Sequence, residues 1–166
     1  MFFGVNMTLA IGVDPGTAST GFGLVRSGPD GSLQVVTYGV WSTPKEMTAA
    51  SRLVSLYEQL QQTLKQYRPD TAAVETLFFQ RNISTAIAVG QARGVALLAL
   101  SQAGLQVFEY TPNEIKQAVA GYGSAEKRQV QEMVRLLLAL PEIPRPDDAA
   151  DALAVAITHL NTRRYV

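Results

Sequence analysis

Leu9-Ala-Ile-Gly-Val-Asp-Pro-Gly16 is a short apolar run that ends on an acid and then turns. Its length suits a buried strand, and Pro15-Gly16 is a strong turn signal. Residues 21–26 alternate and are rich in glycine, as in a strand packed closely against its neighbours. Residues 34–41 are β-branched and aromatic and follow a turn at Pro29-Asp30-Gly31. Three strands with short connections predict an antiparallel meander.

Beyond the meander the period changes. Across residues 47–67 the apolar positions Leu53, Leu56, Tyr57, Leu60 and Leu64 recur at spacings of three and four, the mark of an amphipathic helix that Pro69 ends. A short buried strand over 71–76, a long helix over 83–103 and a strand over 105–110 follow. Pro112 opens a short helix at the favoured first-turn position. Ser124 is placed to cap a further helix running to Leu140, and a Pro-rich linker (141–146) leads to a last helix over 147–162. Strands followed by alternating strand and helix predict an α/β fold: a mixed five-stranded sheet with helices on both faces.

Three acidic positions stand out against this plan. Asp14 closes the first strand, at the end where α/β sheets place their ligands, although an acid before Pro-Gly also suits a plain turn. Glu75 closes the apolar run Thr71-Ala-Ala-Val74. If that strand lies parallel to the first, both carboxylates emerge at one edge. Asp147-Asp148-Ala-Ala-Asp151 begins the last helix, where acids are favoured by the helix dipole. Asp148 and Asp151, three apart, share a face. Capping accounts for one of these acids, yet Asp151 leads into Ala-Leu-Ala-Val-Ala-Ile, a buried sequence. Carboxylates gathered without counter-charge raise one another's pKa. Hard divalent cations relieve that repulsion, and two of them can clamp an in-line displacement at phosphorus.

The separate pieces, taken in order, resemble the RuvC family of Holliday junction resolvases. These are Ile11-Gly-Val-Asp-Pro-Gly-Thr17 with Thr20-Gly-Phe-Gly23, Val74-Glu75, Gly90-Gln-Ala-Arg-Gly94, Gly123-Ser-Ala-Glu-Lys127 and Asp148-Ala-Ala-Asp-Ala-Leu-Ala154. The resemblance implies an RNase H-like fold and a homodimer that nicks two opposed strands of a four-way DNA junction symmetrically. It implies Mg2+ or Mn2+, two ions to a site, held by Asp14, Glu75, Asp148 and Asp151 as catalytic acids. It places Lys116 and Lys127 as basic residues of the active site, and an aromatic wedge at Phe78 with Phe79 beside it. It further implies work with the RuvA–RuvB branch-migration machinery. Arg81 follows the aromatic pair and is expected, with both lysines, to contact nucleic acid. Packing of the rings under the next helix, and plain solvation of the lysines, are the bland alternatives.

Bulk properties frame these expectations. The chain has 166 residues, 47% hydrophobic and 17% charged, which suits one globular domain. That domain is expected over residues 8–162, between a flexible extension (1–7) and a short tail (163–166). Without cysteine, disulfides and thiolate metal sites are excluded. No apolar run appears long enough to span a bilayer and no secretory signal is evident, so a cytoplasmic location without membrane contact is expected. Fourteen basic residues balance fourteen acids, with a pI near 6.6, so the charge count alone does not point to DNA. Were four acids neutralised by metal, ten would face fourteen positive charges. The helix over 83–103 is apolar on more than one face, as a core helix that also forms a dimer interface would be. His159 is expected at the surface or the helix end. The rival readings are a phosphoryl-transfer domain of the actin and sugar-kinase type, which would need a second domain and phosphate loop, and a non-catalytic junction-binding module.

Overall fold

The computed structural model describes residues 7–16, 18–76 and 83–163. Strands β1 (Thr8–Asp14), β2 (Ser19–Ser27) and β3 (Leu33–Ser42) form the expected antiparallel meander. Helix α1 (Ala49–Tyr67), strand β4 (Thr71–Glu75), helix α2 (Ile83–Gln102) and strand β5 (Val107–Tyr110) follow. Three helices end the chain: α3 (Pro112–Ala120), α4 (Lys127–Leu137) and α5 (Asp147–Arg163). The sheet order is β3-β2-β1-β4-β5, with β4 and β5 parallel to β1. Helices cover both faces, as the sequence pattern predicts.

Each face has its own apolar layer. Ile11, Val13, Leu24, Ala72 and Val74 pack with Leu56, Leu60, Ala96 and Leu100 from α1 and α2. Ala10, Val25 and Ala73 pack on the other side with α3, α4 and α5. Strand side chains alternate between faces. Continuing that alternation past Ala10 and Ala73 puts Asp14 and Glu75 on the α5 side.

Helix α5 is almost wholly buried from Ala149 to Leu160 and lies directly on β1 and β2. The approach is close because Gly12 leaves room for it: a Cβ there would sit 2.2 Å from the Ala152 carbonyl oxygen and 2.6 Å from the Ala156 nitrogen. A side chain at residue 12 would force the helix off the sheet.

Four local expectations are corrected. Helix α4 begins at Lys127 rather than Ser124, because residues 122–125 are taken by a turn in which the Ala125 N–H donates to Tyr122 O. Glu126 takes the cap position, its N–H donating to Gln129 Oε1 at 2.8 Å. The first turn of α1 starts at Ala49, capped by Thr48, whose Oγ1 accepts from the Ser51 N–H at 3.2 Å. His159 is fully buried rather than at the surface. Its Nε2 lies 2.8 Å from Thr71 Oγ1 and its Nδ1 2.8 Å from the Tyr110 hydroxyl, so its ring ties α5 to β4 and β5. Finally, α2 is long and apolar enough to cross a bilayer by length and composition. Its inner face (Ala92, Ala96, Ala99, Leu100) is buried against the sheet and α1, so core packing accounts for that part of its apolar character.

Candidate active site

Parallel pairing of β1 with β4 sets Val13 against Val74, so Asp14 and Glu75 leave neighbouring strands at the same edge. Their side chains share a hydrogen bond. The first two turns of α5 then deliver Asp148 and Asp151 to the same place. One carboxylate oxygen from each of Asp14, Asp148 and Asp151 lies within 4.8 Å of the others. Asp14, Asp148 and Asp151 therefore meet at one point although they lie up to 137 positions apart in sequence, and Glu75 joins them through its bond to Asp14 rather than as a member of that close set.

Electrostatics at this point are unfavourable without a cation. Burial, then the charges of Glu75, Asp151 and Asp148, push Asp14 up to about 9 from an ordinary value of 3.8. Burial and the Asp151 charge raise Glu75, partly opposed by the Asp14 hydrogen bond and by Lys127 and Lys116. Asp151 is raised by burial, against the pull of Lys127.

Basic residues line the other side. Lys127, the first residue of α4, has its Nζ 3.6 Å from Asp147 Oδ2 and 3.6 Å from Asp151 Oδ2. Burial disfavours its charge, but Asp151 and Asp147 outweigh burial and raise its pKa. Arg145 Nη1 reaches Asp147 Oδ1 at 3.1 Å. Asp147 thus pairs with both cations, while Asp151 shares Lys127 with it and also faces Asp14 and Asp148. Lys116 on α3 joins Lys127, Glu75 and Asp151 around a cleft of about 240 Å³ floored by Ile115, Val130 and Ala154. A second cleft of about 140 Å³ runs from Gly16 and Ser19 between α1 and α2 and holds none of the acids. Phe78, Phe79 and Arg81 lie outside the described residues, as does Thr17.

An oxygen-only donor set, crowded until its pKa values rise and flanked by lysine, fits a hard divalent cation and not a soft one. Within the described residues this is the cluster whose spacing suits a metal. Sequence reasoning passed over Ser19, whose hydroxyl donates to Asp148 Oδ2 at 2.8 Å. A signal was there: Ser19, Gly21 and Gly23 alternate along one face of β2, and two of them are glycines cleared for α5.

Comparison with known proteins agrees with this geometry. The model of the family described as "Crossover junction endodeoxyribonuclease RuvC" matches residues 10–159. A protein of that description from Roseiflexus sp. (strain RS-1) is 59% identical over 152 residues, covering 92% of this chain and 90% of its own length. One from Syntrophomonas wolfei is 53% identical, covering 93% and 89%. Among solved structures, that of Thermus thermophilus RuvC in complex with a Holliday junction substrate superposes with a TM-score of 0.89. It is 38% identical and the match covers 95% of this chain and 96% of that one. The yeast mitochondrial Holliday junction resolvase Ydc2, at 12% identity and a TM-score of 0.69, shares the fold. The sheet and helices described above are thus those of the RNase H-like architecture.

Proposed function

This chain belongs to the RuvC family of crossover junction endodeoxyribonucleases, and from that premise we propose that it resolves four-way DNA junctions by metal-dependent nicking at Asp14, Glu75, Asp148 and Asp151. The observation that carries the proposal is the convergence of carboxylates from two parallel strand ends and one helix start, on the α5 side of the sheet. Mg2+ or Mn2+, two ions to a site, would activate a water and stabilise the leaving oxygen of an in-line displacement. A bound cation would relieve the mutual repulsion that raises these acids. Lys127 offsets the acid charge at Asp151 and stands close enough to meet a phosphate entering the cleft. Lys116 sits across from it and stabilises the negative charge that develops on the phosphoryl oxygens.

Symmetric cutting needs two sites, and α2 supports a homodimer. Its outer side carries Ile83, Ile87 and Leu98, which are 81, 58 and 52% exposed and recur at helical spacing. Phe78, with Phe79 beside it, follows Glu75 in sequence and is assigned to opening the bases at the crossover, a role the family likeness supports, and Arg81 is assigned to contact nucleic acid. Cooperation with a RuvA–RuvB complex and a cytoplasmic location complete the reading. A kinase-like reading finds no support in the family match, and a non-catalytic module is disfavoured by the complete acid set.

A synthetic four-way junction and a linear duplex, each incubated with the protein with and without Mg2+, test the proposal. Paired nicks confined to the junction and dependent on metal are expected. Equal cutting of duplex, or cutting in chelator, would overturn it.

A further inference from the structure

Strand β2 contributes none of the four acids, yet it grips one of them. Ser19 Oγ donates to Asp148 Oδ2 at 2.8 Å across 129 residues of sequence, and both side chains are partly buried. Two residues on, Gly21 lies under the same residue: a Cβ built there would sit 1.9 Å from the Asp148 carbonyl oxygen and 2.4 Å from its carbonyl carbon. Gly21 also pairs directly with Asp14 across the β1–β2 ladder. One strand therefore fixes the backbone of Asp148, orients its carboxylate and sets its distance from Asp14.

We infer that Ser19 is a positioning residue for the metal site, acting through Asp148 with Gly21 as the seat for the Asp148 backbone. The inference rests on the proposed function and deepens it. Asp148 stands in the first turn of α5, where a short, partly buried side chain still has more than one rotamer open to it. The Ser19 hydrogen bond selects one of them and holds Oδ2 in place. A hydroxyl suits this task because it donates without adding charge to a site whose net charge the cation must match. Partners of this kind that orient a metal-binding side chain change metal affinity by about 10–100-fold when removed.

The test uses the full chain with Ser19→Ala, Ser19→Thr and Gly21→Ala, and reads Mn2+ binding by calorimetry alongside thermal unfolding and junction nicking. For Ser19→Ala we expect Mn2+ affinity about 10-fold weaker and a matching rise in the metal concentration for half-maximal nicking. Nicking at saturating Mn2+ should stay within a few-fold of the unsubstituted rate. Ser19→Thr keeps the hydroxyl and should restore most of the affinity. Gly21→Ala should weaken Mn2+ binding at least as much. Should Gly21→Ala fail to fold, the serine pair alone decides. Ser19→Ala binding Mn2+ within twofold of the unsubstituted protein would overturn the inference, as would a Ser19→Thr no better than Ser19→Ala. Absence of Mn2+ binding by the unsubstituted protein would overturn the proposed function and this inference together.

Discussion

At Asp14, burial and three neighbouring acids outweigh the preference of a carboxylate for water, and the cost is stored in the fold. The group's folded pKa, about 9, lies above its ordinary 3.8, so the native state keeps a proton that the unfolded chain gives up. Its contribution is fully present below about pH 4 and is lost as pH rises towards 9. His159 has the opposite sign. Burial, helped by Arg163, lowers it to about 4 from 6.5, so its contribution is present above pH 6.5 and is lost as pH falls towards 4. Above about pH 7 only the acid cluster of the two is still titrating. Thermal unfolding of the metal-free protein should therefore shift to lower temperature between about pH 7 and 9, and a divalent cation should cancel the shift. A flat profile in chelator would contradict the strained cluster. Asp14→Asn removes the strain and the ligand together: metal-free stability should rise by roughly 1–2 kcal/mol while nicking falls at least about 10³-fold. His159→Ala should cost about 2–4 kcal/mol in denaturant unfolding, because it empties a buried site and leaves the Thr71 and Tyr110 hydroxyls without their ring partner.

Among the elements, α5, β1 and β4 carry the acids, and the fit of α5 to the sheet depends on residues with no side chain. Gly12→Ala should destabilise the fold by about 3 kcal/mol or more, since its Cβ would press first on the α5 backbone at Ala152 and Ala156, which cannot turn aside as a flexible side chain can. A melt within a degree of the unsubstituted protein would show that α5 can lift from the sheet. Element order and the parity of the strands were legible in the sequence, because apolar period and Pro-Gly punctuation report burial directly. From the parity of β1 and β4 it follows that Asp14 and Glu75 share an edge once parallel pairing is granted. What could not be read was contact between elements. Nothing in the run Ala-Ile-Thr-His159 marks its histidine as buried, because a period set by apolar residues is silent on a polar one satisfied by two distant hydroxyls. Ser19 was missed for the same reason: its partner lies at the far end of the chain. The start of α4 was misplaced because Ser124 has the chemistry of a cap, while the turn at 122–125 claims its backbone.

For the whole molecule, charge and symmetry set the remaining expectations. An even count of acids and bases becomes a positive surplus once metal neutralises the four site acids, so junction binding should tighten when a non-catalytic cation such as Ca2+ is added. In the proposed homodimer, the exposed apolar side of α2 is the face that a partner copy would cover. Ile87→Glu with Leu98→Glu should convert a dimer into monomers by sedimentation and replace paired nicks with single ones. A substituted protein that remains dimeric would move the interface elsewhere. All of this depends on acids from β1, β4 and α5 holding a cation jointly. Crystals soaked in Mn2+ and recorded near the manganese absorption edge address that point directly. The account predicts anomalous density bridging the carboxylates of Asp14, Asp148 and Asp151, and no such peak there in Asp14→Asn. Saturating Mn2+ that leaves this point empty, or binds only elsewhere on the surface, would contradict it.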